Sequence, residues 1–344
     1  MSDARPSGRL ESRILIGVVI GAALYLVLAV VSGVDELSGA LRTFAPTAFA
    51  VALGLALVNY ALRFARQQLY LRLLGVEVPV VRSAVAFVAA FSLTVTPGKM
   101  GELLKAWLLH RSDGVSLEAV SGVVIVERLT DVLALAVWVA IGAVSVARAD
   151  ALGPGAAARL AAIAVGLVLV AVVALSSERV MQLGVSIVAR LPVVGRFADR
   201  IRALWTASRT LLRPGPLVAA TVLATIGWGL EGVLLMVLLQ GFGEAAPLGP
   251  SVFVYALTTL AGAVSFSPGG LGVTDVSMGA LLHTLGLAGD VGVAGAATFL
   301  TRLATLWFAV ALGVVALVAY RWIWMRGDTV DVAALDALSG GGDA

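Results

Sequence analysis

The sequence predicts an all-α, polytopic membrane protein with six full spans and two re-entrant helical hairpins, eight transmembrane elements arranged as an inverted internal repeat. Three observations predict it. Of the 344 residues, 60% are hydrophobic and only 13% are charged, with a mean hydropathy of +1.01. A soluble domain carries about a quarter charged residues, and a chain this apolar has too little polar surface to face water. The apolar residues also fall in runs long enough to cross about 30 Å of hydrocarbon as helices. Finally, two of those runs are broken midway by similar Pro-Gly sequences.

The elements follow in order. Residues 1–13 carry Arg5, Arg9 and Arg13 and read as a cytoplasmic tail. The run 14–31 lacks a small-x-small cleavage site, so it reads as a retained first span, not a signal peptide. The second span is 44–62, and the fourth and fifth elements are 117–147 and 157–175. The third, 84–110, is interrupted by Thr96-Pro97-Gly98-Lys99-Met100-Gly101-Glu102. Span 216–240 follows, and then 251–285, interrupted by Ser267-Pro268-Gly269-Gly270-Leu271-Gly272. Proline and clustered glycine break a helix, and each flanking half is short for a crossing. Both interrupted runs therefore read as re-entrant hairpins with tips near the bilayer centre; two packed full spans each is the alternative. The last span is 291–320. Segment 178–213 alternates arginine with apolar residues and is interrupted at Pro192, the pattern of amphipathic helices on a membrane surface. Residues 326–344, with repeated aspartate and a Gly-Gly-Gly run, read as a disordered tail. Residues 14–325 form one transmembrane domain.

Sidedness follows from the arginines. With the N-terminus inside, the external loops hold Arg42, Arg148 and Arg159. Lys99, Arg128 and Arg302 fall within the membrane, and every other basic residue falls in cytoplasmic segments, including Arg63, Arg66, Arg72 and Arg82. This bias puts both termini in the cytoplasm, in the inner membrane of a prokaryote. Pro97 and Pro268 lie 171 residues apart, and Arg128 and Arg302 lie 174 apart. The halves, about 14–150 and 157–325, are separated by an odd number of crossings and are therefore inverted, a recurrent transporter architecture.

Several functions are excluded. There is no cysteine, hence no disulfide, thiolate metal site or thiol nucleophile. His110 and His283 alone do not suggest a metal centre, and no cofactor is expected. The net charge of +3 reflects inner-face arginines, not nucleic-acid binding. No nucleotide-binding motif is present, so ATP is not expected to drive the chain directly.

Ionisable residues at membrane depth are costly and mark function by default. Arg128 lies roughly 16 Å into its span and Arg302 at a similar depth, while Lys99 sits on the first hairpin tip. Helix N-termini converge there too, and their free N–H groups favour anions. Gly98, Gly101, Gly269, Gly270 and Gly272 would let a ligand approach the backbone. This predicts an anion site; the alternative is that Arg128 pairs with Asp131 and Lys99 reaches to the interface. Glu102, Glu127, Asp131, Glu231 and Asp275 are candidates for charge balance or proton relay, with Arg302 a possible partner for Glu231. Three cations against five acids make the site net negative when all are ionised. Anion binding would then need some acids paired away or protonated, and would tighten as pH falls. Asn59 and Arg63 read as interfacial, and Tyr320, Trp322 and Trp324 as an aromatic anchor.

The stretch from Thr96 to Lys105, then Glu127-Arg128-Leu129-Thr130-Asp131, then Ser267 to Asp275 resembles the lysylphosphatidylglycerol synthase transmembrane, or flippase-like, family. The resemblance covers roughly residues 12–325, although Asp275 stands where the family commonly has Glu. It implies a membrane lipid translocase that moves a phosphate-bearing lipid or lipid-linked head group between leaflets. Its partners would be membrane lipids, anionic or polyprenyl-phosphate-linked, and a lipid-modifying enzyme. The chain ends soon after its last span, so the aminoacyl-transferase activity of bifunctional relatives is not expected, nor any other catalysis. A carrier of small soluble anions is the alternative, as is a membrane enzyme or partner subunit in lipid-linked glycan synthesis.

Overall fold

The computed structural model describes residues 34–95, 101–148, 208–265 and 267–325, with isolated residues between 155 and 186. The expected spans 14–31 and 157–175, the first hairpin tip at 96–100, most of 178–213 and the tail lie outside the described residues. Within them the fold is all helical, with no strand. The order is α1 (Val34–Thr43), α2 (Pro46–Leu73), α3 (Val80–Ala89) with a 3-10 turn at Ala90–Leu93, α4 (Gly101–Asp113) and α5 (Leu117–Arg148). Then come α6 (Pro214–Gly241), α7 (Leu248–Val264), α8 (Val273–Thr284), α9 (Val291–Arg302), a π turn at Leu303–Trp307, and α10 (Phe308–Trp324). Four stretches are long and apolar enough to cross a membrane: Pro46–Leu73, Ala119–Ala147, Pro214–Gly241 and Val291–Trp324. They coincide with the four expected spans that the structure describes.

The second span does not end where its apolar run ends. It continues past 62 to Leu73 because the sequence supplies Leu, Arg and Gln, all good helix formers, and no glycine until Gly75. Gly75 then takes φ 68° and turns the chain. Arg63, Arg66 and Arg72 are thus helical residues, not loop residues. Helix α1 was not anticipated either.

Each of the two interrupted runs carries a helix on either side of its Pro-Gly sequence, the first of which lies outside the described residues. α3 packs on α4, and α7 on α8. The Ser-Pro-Gly-Gly-Leu-Gly break has Gly269, Gly270 and Gly272 at φ 60°, 71° and 83°, a left-handed conformation that side chains resist.

The core is organised by backbone proximity. α2 and α6 run antiparallel: the Ala45 N–H donates to Gly241 O at 2.8 Å at one end. The Asn59 amide donates to Gly227 O at 2.7 Å further along. α5 lies on α6 and α7, and α10 on α3 and its 3-10 turn. Glycines permit these approaches. A Cβ on Gly142 would stand 2.6 Å from Phe253 Cβ, and one on Gly232 would stand 2.6 Å from Val252 Cγ2. Small residues carry helix association in lipid, where no hydrophobic effect drives helices together. Tyr320 belongs to this core and not to an interfacial anchor. It is fully buried, its hydroxyl is within 2.6 Å of Ser112 Oγ, and only Trp322 of the expected trio is exposed.

Gly142→Val is expected to overpack α5 against α7, at a cost of about 1–3 kcal/mol. Gly54→Val, where a Cβ meets nothing within 4 Å, serves as control. Melting of the detergent-solubilised protein checks this: the first variant should melt earlier and the second near wild type.

Candidate functional site

Charged side chains project into the bundle from α2, α4, α5, α6, α8 and α9. The centre of the first group is Asp131 on α5. Arg66 reaches it from α2, with Nη1 2.7 Å from Oδ1 and 3.1 Å from the Thr130 hydroxyl. The Trp228 indole N–H donates to the same carboxylate oxygen from α6, at 3.1 Å. Arg128 Nη2 lies 3.0 Å from the other oxygen. One carboxylate thereby ties three helices together. A turn away, Glu127 takes Lys105 of α4, with Nζ 2.5 Å from Oε2, which fastens the first hairpin to α5.

The second group fixes the second hairpin. Asp275 is wholly buried near the start of α8, and its Oδ2 accepts the Gly272 N–H at 2.9 Å. Its Oδ1 lies 3.0 Å from Arg302 Nε. Arg302 also donates from Nη2 to Gly269 O at 2.6 Å, so one guanidinium holds both the carboxylate and the turn. Immediately after it, the π turn leaves Thr305 O to accept from the Tyr60 hydroxyl at 2.7 Å. Such turns recur at functional positions.

Several expectations change. Arg66 and Lys105, assigned by pattern to the cytoplasmic face, are 1% and 2% exposed and ion-paired inside the bundle. Arg128 makes the i,i+3 pair with Asp131 that was its alternative reading. Arg302 pairs with Asp275, not Glu231; Glu231, 4% exposed, accepts from Tyr255 at 3.2 Å. Arg63 is half-buried and lies over the Phe91 ring at 5.5 Å. The tip glycines serve the turn: a Cβ on Gly270 would sit 2.6 Å from the Thr274 hydroxyl, whereas Gly272 faces open space. Lys99 and Gly98 lie outside the described residues; of Gly101 and Glu102 only the helical backbone is described.

The charge balance also reverses. Among the described residues, Arg63, Arg66, Lys105, Arg128 and Arg302 face Glu127, Asp131, Glu231 and Asp275, one more cation than acids. The count of three cations and five acids includes Lys99 and the Glu102 side chain, which lie outside the described residues; the described groups alone carry the cation excess. Arg63 and Arg66 share one signal, a position just beyond an apolar run on a helix with no breaker before it, whereas Lys105 lies inside the run 84–110. Among the described residues, no group of His, Asp or Glu is arranged to hold a metal ion.

Membrane-length helices, two broken hairpins and a buried layer of ion pairs define a polytopic α-helical membrane protein whose charges are concentrated inside the bundle. The chain belongs to the family described as the lysylphosphatidylglycerol synthase TM region, whose model matches residues 14–313. Two matches in Methanothermobacter thermautotrophicus are each described as a UPF0104 membrane protein. One is 25% identical over 321 residues, covering 88% of this chain and 93% of that protein. The other is 27% identical over 138 residues, covering 38% and 41%.

Breaking one buried pair should be worse than removing both members. Lys105→Met leaves Glu127 uncompensated and is expected to cost about 3–5 kcal/mol, much of it recovered in Lys105→Met/Glu127→Gln. Melting of the two single variants and the double variant checks this. A double variant no more stable than Lys105→Met would show that the pair carries no coupling.

Proposed function

We propose that the protein is a lipid translocase of the inner membrane of a prokaryote, both termini cytoplasmic, moving a phosphate-bearing lipid or lipid-linked head group between leaflets. The observation that carries this reading is the excess of cations in a layer where ionised groups are expensive. A phosphate entering there would supply the missing negative charge, while its acyl or prenyl chains stay in lipid. Transport, not catalysis, fits a layer whose acids are largely committed to ion pairs. A lipid-modifying enzyme would supply or consume the lipid.

The finer architecture belongs to the same proposal: re-entrant hairpins in an inverted repeat. Reciprocal packing supports it. α5 follows the first hairpin and lies on α7 of the second, whereas α10 follows the second and lies on α3 of the first. α2 and α6, the helices before each hairpin, pack on one another. Asn59 and Gly227, bonded at their crossing, are 168 residues apart, close to the spacing of the tips.

Two measurements test it. Single cysteines in this cysteine-free chain should label Arg82 and Ser112 from one face, and Gly249 and Gly289 from the other. Ends of one hairpin labelled from opposite faces would remove the re-entrant arrangement. In proteoliposomes, wild type should accelerate movement of a fluorescent anionic phospholipid at least tenfold over empty vesicles, and Arg128→Gln should lose most of that gain. A folded Arg128→Gln at the wild-type rate would remove Arg128 from the site.

A further inference from the structure

Within the buried layer, Arg66, Lys105, Arg128 and Arg302 are each ion-paired with Glu127, Asp131 or Asp275. Arg63 and Glu231 are not: among the described residues neither has an oppositely charged group within ion-pair distance. Their places in the fold are related. Asn59 and Gly227 meet where the antiparallel helices α2 and α6 cross. Arg63 follows Asn59 by four residues, and Glu231 follows Gly227 by four. They are therefore equivalent positions of the two halves, about 6 Å to either side of the crossing on antiparallel helices. One half contributes the cation and the other the anion. The two are too far apart to pair, yet close enough to act on each other electrostatically.

We propose that Arg63 and Glu231 form a proton-gated anion subsite on the axis relating the halves. It rests on the reading above in taking the ligand to carry a phosphate, and it identifies which acid takes the proton. With Glu231 ionised, Arg63 is balanced at a distance and a phosphodiester meets repulsion. When a solvent proton binds a Glu231 oxygen, that negative charge disappears and Arg63 is left to the phosphate. Proton and head group enter together, and the proton returns to solvent when the head group leaves. Glu127, Asp131 and Asp275 are unsuited to this role because each already has a cation at 2.5–3.0 Å.

The groups facing Glu231 come from each packed helix. α2 supplies Tyr60 and Arg63, and α7 supplies Tyr255, whose hydroxyl donates to Oε2. α9 supplies Arg302, which is held by Asp275. α5 supplies Asp131, which reaches α6 at Trp228 and is committed to Arg66 and Arg128. Among the described residues, Arg63 is thus the cation near Glu231 that has no carboxylate partner. Its guanidinium Nε is buried without a hydrogen-bond partner, as is Asn59 Oδ1 a turn above.

The test is calorimetric binding to the full chain in detergent, in two buffers of different ionisation enthalpy, between pH 5.5 and 8. The probes are short-chain phosphatidylglycerol and dimethyl phosphate, phosphodiesters that do not titrate in that range. Wild type should take up about one proton per ligand, with affinity tightening up to about tenfold per unit fall in pH. Glu231→Gln should bind with no proton uptake and an affinity flat with pH, and Arg63→Gln should lose binding at least tenfold. Should Glu231→Gln fail to fold, Tyr255→Phe should displace the midpoint of the pH dependence while keeping proton uptake. Wild-type binding that is flat with pH, or an unchanged proton count in Glu231→Gln, would overturn the subsite and leave the translocase reading standing. Binding of dimethyl phosphate but not the lipid, with Glu231-dependent uptake, would support the subsite and overturn the lipid reading. Binding of neither probe would overturn both.

Discussion

The interaction on which this fold depends is the pair that Asp131 makes with Arg66. A carboxylate and a guanidinium in a membrane-spanning bundle are each expensive, and leaving one alone costs more than burying both. Placing them on different helices makes that penalty a geometric requirement: α2 and α5 must be in register or two charges are stranded. Trp228 extends the requirement to α6, and Lys105–Glu127 extends it to the first hairpin. Apolar packing in lipid discriminates poorly between registers, because lipid tails are as good a partner as a leucine. The ion pairs and close glycine contacts supply that discrimination.

The second hairpin is held by the same logic in a more compact form. Its break has three left-handed glycines, and Asp275 closes the start of α8 while meeting Arg302. Arg302 completes the arrangement through a backbone carbonyl of the break itself. The position of this turn is therefore set by α9, an element outside the hairpin. Elsewhere α5 packs on α7, and α10 packs on α3.

Much of this was legible in the sequence. Mean hydropathy and run length give the class, and the interrupted runs 84–110 and 251–285 fall on the helix pairs α3–α4 and α7–α8. Arg128, Arg302, Asp131 and Asp275 stand out because a charge inside an apolar run has no other explanation. Arg63 and Arg66 do not stand out, since they lie where the run fades and look like loop residues; Lys105, inside the run 84–110, was counted with the cytoplasmic basics. Helix continuation was the signal available: nothing between Leu62 and Gly75 ends α2. Partner choice was not legible. Glu231 meets Tyr255 because of how α6 and α7 cross, and Arg302 meets Asp275 because of how α8 and α9 cross, which spacing along the chain does not encode. The π turn had no sequence signature at all.

That π turn gives the stretch from α9 to α10 a built-in change of pitch. It holds one residue more than an α-helical turn, so its relaxation would carry α10 round by about 100° and along by about 1.5 Å relative to α9. Arg302 sits at the upstream edge of this joint and Tyr60 grips its middle through Thr305 O. A movement of that size would sweep a different stripe of α10 past the first hairpin while leaving α9 and its guanidinium in place. Because α10 packs on α3 and its 3-10 turn, such a movement would be felt first at that pair of helices.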